Sequence, residues 1–190
     1  MLKKLIIKDY TTFIGKTTFD FSATNYKILE DTNVGEGRVL KGALFVGENA
    51  SGKTKALKAI VILLDMLFGN TEQNYIVNKS MYTSGTKYNI CYIFEVKGKE
   101  IEYQVEFMGN SINSEKLYLD KQLKLERLKK SGKTYFTESK DNDNINSTLS
   151  LLKLEYYNTR FNNDPVLNEW FNFLKNSIYL NCLIGMRGLK

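Results

Sequence analysis

The sequence predicts an α/β fold: a mixed sheet built around a glycine-rich loop, an antiparallel β portion packed beside it, and helices toward the C-terminal end. Three observations predict it. Val39-Leu40 and Ala43-Leu44-Phe45-Val46 form a short apolar run that stops at a glycine, as a strand buried on both faces does. Gly47-Glu48-Asn49-Ala50-Ser51-Gly52-Lys53-Thr54 follows directly, and then an apolar repeat at helical spacing. From Tyr88 onward the apolar period changes to two, the period of half-buried antiparallel strands.

Taken in order, Leu2–Lys8 reads as a first strand and Thr17–Phe21, with Phe19 and Phe21 alternating, as a second. Asp9–Lys16 joins them with Gly15 in the connection. Residues 22–41 are polar, with Gly35 and Gly37, and read as a loop leading back to the buried strand. After the octapeptide, Lys55–Phe68 carries Ala56, Leu57, Ile60, Val61, Leu64, Leu67 and Phe68 on a helical repeat, and Gly69-Asn70 is its stop. Residues 70–87 are polar and irregular.

Tyr88–Val96, a Lys97-Gly98-Lys99 turn, and then Ile101, Tyr103, Val105 and Phe107 on one face describe a hairpin. Ile112–Leu119, Gln122–Lys129 and Lys133–Glu138 read as further short strands, although the leucines of 117–128 fit a helix about as well as they fit alternation around an Asp120-Lys121 turn. Asp141–Ser147 is Asn- and Asp-rich without an apolar anchor and marks the clearest internal boundary. Ser147 or Thr148 can cap a helix over Leu149–Tyr157. Asp164-Pro165 starts a second, whose Val166, Leu167, Trp170, Phe171 and Leu174 form an apolar face. The chain closes with Ile178–Ile184 and Gly185-Met186-Arg187-Gly188. The resulting organisation is a single incomplete head over 1–190, divided into 1–69, an antiparallel portion over 70–140, and a linker with helices over 141–190.

Composition excludes several classes. The 190 residues hold no histidine, which removes Ser-His-Asp and Cys-His triads, the usual zinc ligand sets and any His general base. Cys91 and Cys182 lie far apart and lack metal-ligand spacing, so neither a disulfide framework nor a zinc site is expected. The longest apolar stretch, Ala59–Phe68, is interrupted by Asp65 and is too short to span a bilayer. With no secretory signal after Met1, a cytoplasmic protein without a membrane partner is expected. Lysine and arginine, 27 together against 21 acidic residues, suit nucleotide phosphates or nucleic acid, but they are scattered and read as a solvated basic surface.

The octapeptide prescribes a chemistry. Glycine, four residues, then Gly-Lys-Thr is the spacing of the Walker A phosphate loop. Gly47 and Gly52 let the backbone N–H groups of Glu48, Asn49, Ala50 and Ser51 turn inward around a phosphate. Lys53 supplies a charge for the β- and γ-phosphates, and Thr54 a hydroxyl for Mg²⁺. The helix that follows points its N-terminus at the same place. Gly15-Lys16-Thr17 and Gly132-Lys133-Thr134 repeat the tripeptide, but Tyr10 and Arg127 stand where the first glycine belongs and no long apolar helix follows, so both read as basic turns.

The opening Leu-Lys-x-Leu-x-Ile-x-Asp-Tyr strand, the Phe-Asp-Phe strand, the loop at 47–54 and the Ala-Leu-Lys-Ala helix start together resemble the N-terminal part of an AAA-type ATP-binding protein with an ABC/SMC-like head, a group that includes RecF-like, SMC-like and OLD-family ATPases, many of them bacterial. The resemblance is best over 1–69. It implies a P-loop NTPase (ABC-ATPase-like) N-terminal lobe that binds ATP and Mg²⁺ and pairs head to tail as a homodimer, with DNA as a possible partner in DNA maintenance or phage defence. It also implies that residues near Tyr10–Phe13 touch the base or ribose.

The Walker B and signature parts of such a head have no clear counterpart here. Val61–Asp65 imitates a Walker B run but falls within the helix, Thr83-Ser84-Gly85 echoes the signature only poorly, and Gln73 reads as a loop residue. The expectation is the front part of a longer ATPase, or a truncated open reading frame, that binds nucleotide, with no nameable residue for hydrolysis. Two other functions fit parts of the chain: a self-contained P-loop phosphotransferase, and a basic nucleic-acid-binding module without ATPase activity.

Overall fold

A computed structural model describes residues 1–23, 29–49, 51–69, 87–181 and 185–188, with side chains described through Ile178. Its centre is one antiparallel sheet of eight strands. Strand β1 (Leu2–Tyr10) pairs with β2 (Phe13–Asp20) on one side and with β5 (Lys87–Val96) on the other. Beyond β5, the strands β6 (Lys99–Met108), β7 (Ser111–Leu119), β8 (Gln122–Leu128), β9 (Ser131–Tyr135) and β10 (Ser139–Asn142) follow in chain order. Between β2 and β5 lie a short helix α1 (Glu30–Asn33), the two-residue pair β3 (Val34–Gly35) and β4 (Val39–Leu40), and the long helix α2 (Lys53–Phe68). Helices α3 (Leu151–Thr159) and α4 (Pro165–Lys175) come last, followed by a small hairpin of β11 (Ile178–Asn181) and β12 (Gly185–Gly188).

Alternation dictates this sheet. Along β5 and β6 every second residue is buried, so Tyr88, Ile90, Tyr92 and Phe94 share a face with Ile101, Tyr103, Val105 and Phe107. The two strands are in full register from Lys87↔Met108 to Val96↔Lys99 around the Lys97-Gly98 turn, where both residues have positive φ, as a two-residue hairpin loop requires. On β1 the same face carries Leu5 and Ile7, both fully buried.

Helices α2, α3 and α4 cover that face. Trp170 of α4 meets Phe94 and Tyr103 edge-on, Phe171 stacks on Tyr156 of α3 with ring centroids 3.8 Å apart, and Phe68 of α2 meets Phe171. The Tyr92 hydroxyl donates to the Ala59 carbonyl of α2 at 2.6 Å and ties helix to sheet. Each such fully buried large side chain contributes roughly 1.5–3 kcal/mol.

Two helix starts are capped by side chains. Ser150 Oγ accepts from Lys153 N, and Asp164 Oδ1 accepts from Val166 N and Leu167 N with Pro165 beside it. All five apolar residues expected on the face of α4 are buried.

The expected α/β architecture, a P-loop NTPase lobe with a mixed sheet around the phosphate loop, is not what forms. The sheet is antiparallel, and β1 and β2 belong to the same sheet as β5–β10, so 1–69 and 70–140 do not contribute separate layers. The run Ala43–Val46 is no strand. Leu44 is 86% and Val46 79% exposed, whereas Phe45 alone packs, against Phe19 and Phe21. A strand buried on both faces needs cover above and below it, and Leu44 and Val46 have none.

The other differences are local. Gly15-Lys16-Thr17 and Gly132-Lys133-Thr134 are strand residues of β2 and β9, not turns, because each continues an alternating face. Ile145, only 5% exposed, anchors the polar segment before α3, which also supplies Asp141 and Asn142 to β10. The α3 cap is Ser150 rather than Ser147 or Thr148. Leu117–Leu128 forms two strands around the Asp120-Lys121 turn.

Candidate functional site

The octapeptide lies between the exposed run 43–46 and the start of α2, and its geometry follows from two residues. Gly52 sits at φ +93°, ψ 1°, immediately before the helix. A Cβ there would lie 2.9 Å from the Phe13 ring and 3.2 Å from Thr12 Oγ1, so both the backbone conformation and the close approach of the β1–β2 turn require glycine. Lys53 then folds its side chain back across the loop. Its ammonium donates to the Gly47 carbonyl at 2.7 Å, to the Glu48 carbonyl at 2.6 Å and to Ser51 Oγ at 3.2 Å. The loop is thus closed on a single cation, with Ser51 N donating to Glu48 O at 3.3 Å to complete the turn.

Helix α2 begins there without a side-chain cap, in contrast to α3 and α4. Its first intrahelical bond runs from Ala56 N to Gly52 O, which leaves the N–H groups of the first turn for another acceptor. The positive helix end, the Lys53 side chain and the exposed Thr54 therefore lie together at the N-terminal end of α2. Ala50 of the octapeptide falls outside the described residues.

The remaining sequence candidates separate clearly. Val61–Asp65 is the interior of α2, and Asp65 lies eleven residues beyond Thr54, about 16 Å along the helix axis, so it cannot meet a metal at Thr54. Gln73, Thr83-Ser84-Gly85 and Cys182 fall outside the described residues.

Of Tyr10–Phe13, Tyr10 is in the core, fully buried beside Tyr88 with centroids 5.6 Å apart and with its hydroxyl pushed up by burial. Thr11 is buried to 5% at φ +49°. Only Thr12 and Phe13 reach the loop, and they do so at Gly52. Sequence reasoning missed these two as loop supports. The readable signal was the Thr11-Thr12 turn between two alternating strands, but not the helix start that it faces.

A second polar cluster was also missed. Glu115 and Arg127, both with fully buried side chains, pair at 3.0 Å under the helices. Glu115 Oε1 accepts from Tyr103 Oη and Ser150 Oγ, each at 2.6 Å, and Oε2 accepts from Leu151 N at 2.8 Å. Arg127 also donates to the carbonyls of Lys129, Asn146 and Leu149. Burial, and next the Glu115 charge, raise the Tyr103 phenol well above its ordinary value. With every member satisfied, this is a structural lock between sheet and α3.

Among the described residues no group of three or more Cys, Asp or Glu could hold a metal ion, and no helix is long and apolar enough to cross a membrane. The chain matches no protein-family model, and no curated protein matches its sequence.

Proposed function

We propose that this protein binds the phosphates of ATP, together with Mg²⁺, at Gly47–Thr54. The observation that carries this reading is the Lys53 ammonium held across the loop by Gly47 O, Glu48 O and Ser51 Oγ, next to a helix start that no side chain caps. Phosphate binding by such a loop draws on backbone N–H groups, a helix dipole and one lysine, none of which depends on a parallel sheet. The reading therefore rests on the octapeptide and the start of α2 and not on the sheet.

In this reading Lys53 faces the β- and γ-phosphates and the first-turn N–H groups of α2 donate to a phosphate oxygen. Thr54 contributes its hydroxyl to Mg²⁺, which takes few protein ligands and keeps phosphate oxygens and water for the rest. Gly52 and the Thr12-Phe13 turn hold the loop in place. The proposal is binding rather than turnover, since phosphoryl transfer needs a group that positions the attacking water and Asp65 is too distant to serve.

The test is magnesium dependence. Titration of the chain with a fluorescent ATP analogue should give binding that Mg²⁺ tightens, and Thr54→Ala should remove the magnesium effect while leaving weaker metal-free binding. Equal magnesium enhancement in Thr54→Ala would overturn the role given to Thr54.

A further inference from the structure

The face of the sheet opposite the helices carries a cleft of about 370 Å³, lined by residues of β1, β2, β5, β6 and β7. Register places its side chains in two adjacent rows across the strands. One row runs Lys16, Lys8, Asn89, Glu106 and Ser114, and the next contains Ile6, Cys91, Gln104 and Lys116.

Several charges on this face are settled in pairs. Lys4 holds Asp20 at 2.9 Å, Lys87 holds Glu106 at 3.0 Å and Lys133 holds Asp141 at 3.6 Å. Glu106 also accepts from Asn113 Nδ2, and Glu102 is taken by Gln104 Nε2 at 2.6 Å and by the Cys91 thiol at 3.6 Å. Glu126, the register partner of Lys116, accepts from the Tyr135 hydroxyl at 2.6 Å.

Within the cleft lining, Lys8, Lys16 and Lys116 each lie more than 4 Å from any carboxylate among the described residues. Lys8 and Lys16 stand directly opposite each other, an arrangement that by itself is unfavourable. The Lys16 charge reaches over the sheet far enough to oppose the rise that burial, and then Glu102, impose on the Cys91 thiol. Lys116 lies three strand spacings from Lys8, about 14 Å, on the far side of a floor that carries Asn89, Gln104, Ser114 and the Glu106 carboxylate, the last already held by Lys87 and Asn113.

We propose that this cleft binds a phosphate-bearing anion, with Lys8 and Lys16 gripping one phosphate group, Lys116 closing the opposite side, and the polar floor of Asn89, Gln104 and Ser114 beneath. Three lysines with no carboxylate within 4 Å among the described residues, around a floor whose one carboxylate, Glu106, is already paired with Lys87, fit an anion of more than one charge, and a lining without an aromatic platform assigns recognition to the phosphate rather than to a base.

The proposal is independent of the loop, so its test uses the full chain carrying Lys53→Ala. Amide resonances of Asn89, Cys91, Gln104 and Ser114 are followed by NMR at constant ionic strength with sodium pyrophosphate, and in a second series with a short oligothymidylate. Saturable shifts at these amides are expected with at least one probe, and which probe binds more tightly separates a free phosphate compound from a nucleic-acid backbone. Lys8→Gln with Lys16→Gln should weaken the binding at least tenfold. Should that pair perturb folding, seen as a shifted unfolding midpoint of Trp170 fluorescence, Lys116→Gln serves instead and should weaken it severalfold. No saturable shift with either probe, or unchanged affinity in the variants, overturns the proposal.

Discussion

Replacing Arg127 by methionine tests the lock between sheet and α3. The substitution keeps much of the side-chain volume but removes the cation that faces a fully buried Glu115 at 3.0 Å. The carboxylate would retain its three neutral donors, Tyr103 Oη, Ser150 Oγ and Leu151 N, and lose its counter-charge, while the carbonyls of Lys129, Asn146 and Leu149 would lose the Arg127 donor, Asn146 O keeping Leu149 N. Breaking a buried pair from one side costs about 3–5 kcal/mol, a large share of the roughly 5–15 kcal/mol by which domains are stable.

The assay is urea unfolding followed by the fluorescence of Trp170, which is the single tryptophan and is fully buried. Arg127→Met should lower stability by about 3–5 kcal/mol, and adding Glu115→Leu should cost less than the sum of the two single changes, because the stranded charge is then gone. A loss below about 1 kcal/mol in Arg127→Met, or strict additivity in the pair, would refute the reasoning.

Other predictions concern the loop and the acid range. Gly52→Ala places a Cβ 2.9 Å from the Phe13 ring at a φ of +93° and should cost about 1–3 kcal/mol in the same unfolding assay; wild-type stability would contradict the packing described for the β1–β2 turn. Asp20 is held down to about 2, first by the Ser22 side chain and backbone N–H and then by Lys4. A folded-state value below the unfolded one means that its stabilisation is complete above the ordinary carboxylate range and is lost as pH falls toward 2. Asp20→Asn should therefore flatten the decline of the urea midpoint between pH 4 and pH 2.5, and an unchanged decline would contradict the assignment.

Much of the architecture was legible because alternation and capping are local signals. The hairpin of β5 and β6 could be placed from its period of two and its Lys97-Gly98 turn, and α4 from Asp164-Pro165 and one apolar stripe. The fold class was not legible, for an identifiable reason. Ala43–Val46 has the composition of a buried strand, yet only Phe45 finds a partner, and composition does not say which sheet a segment joins.

The same limit hid the Glu115–Arg127 pair. Strands β7 and β8 bring the two residues together only through register, and a charged residue in an alternating strand reads as surface until the opposite face is known to be covered. The loop residues, by contrast, were named from spacing alone, and the structure adds the Lys53 contacts and the turn that Gly52 abuts.

Calorimetric titration of ATP with Mg²⁺ into the chain and into Lys53→Ala tests the central reading most directly. Saturable heats with the unmodified chain, reduced at least tenfold in affinity in the variant, are the predicted result. Equal affinity in the two proteins, or no binding by the unmodified chain, would contradict the assignment of Gly47–Thr54 as a nucleotide-phosphate site.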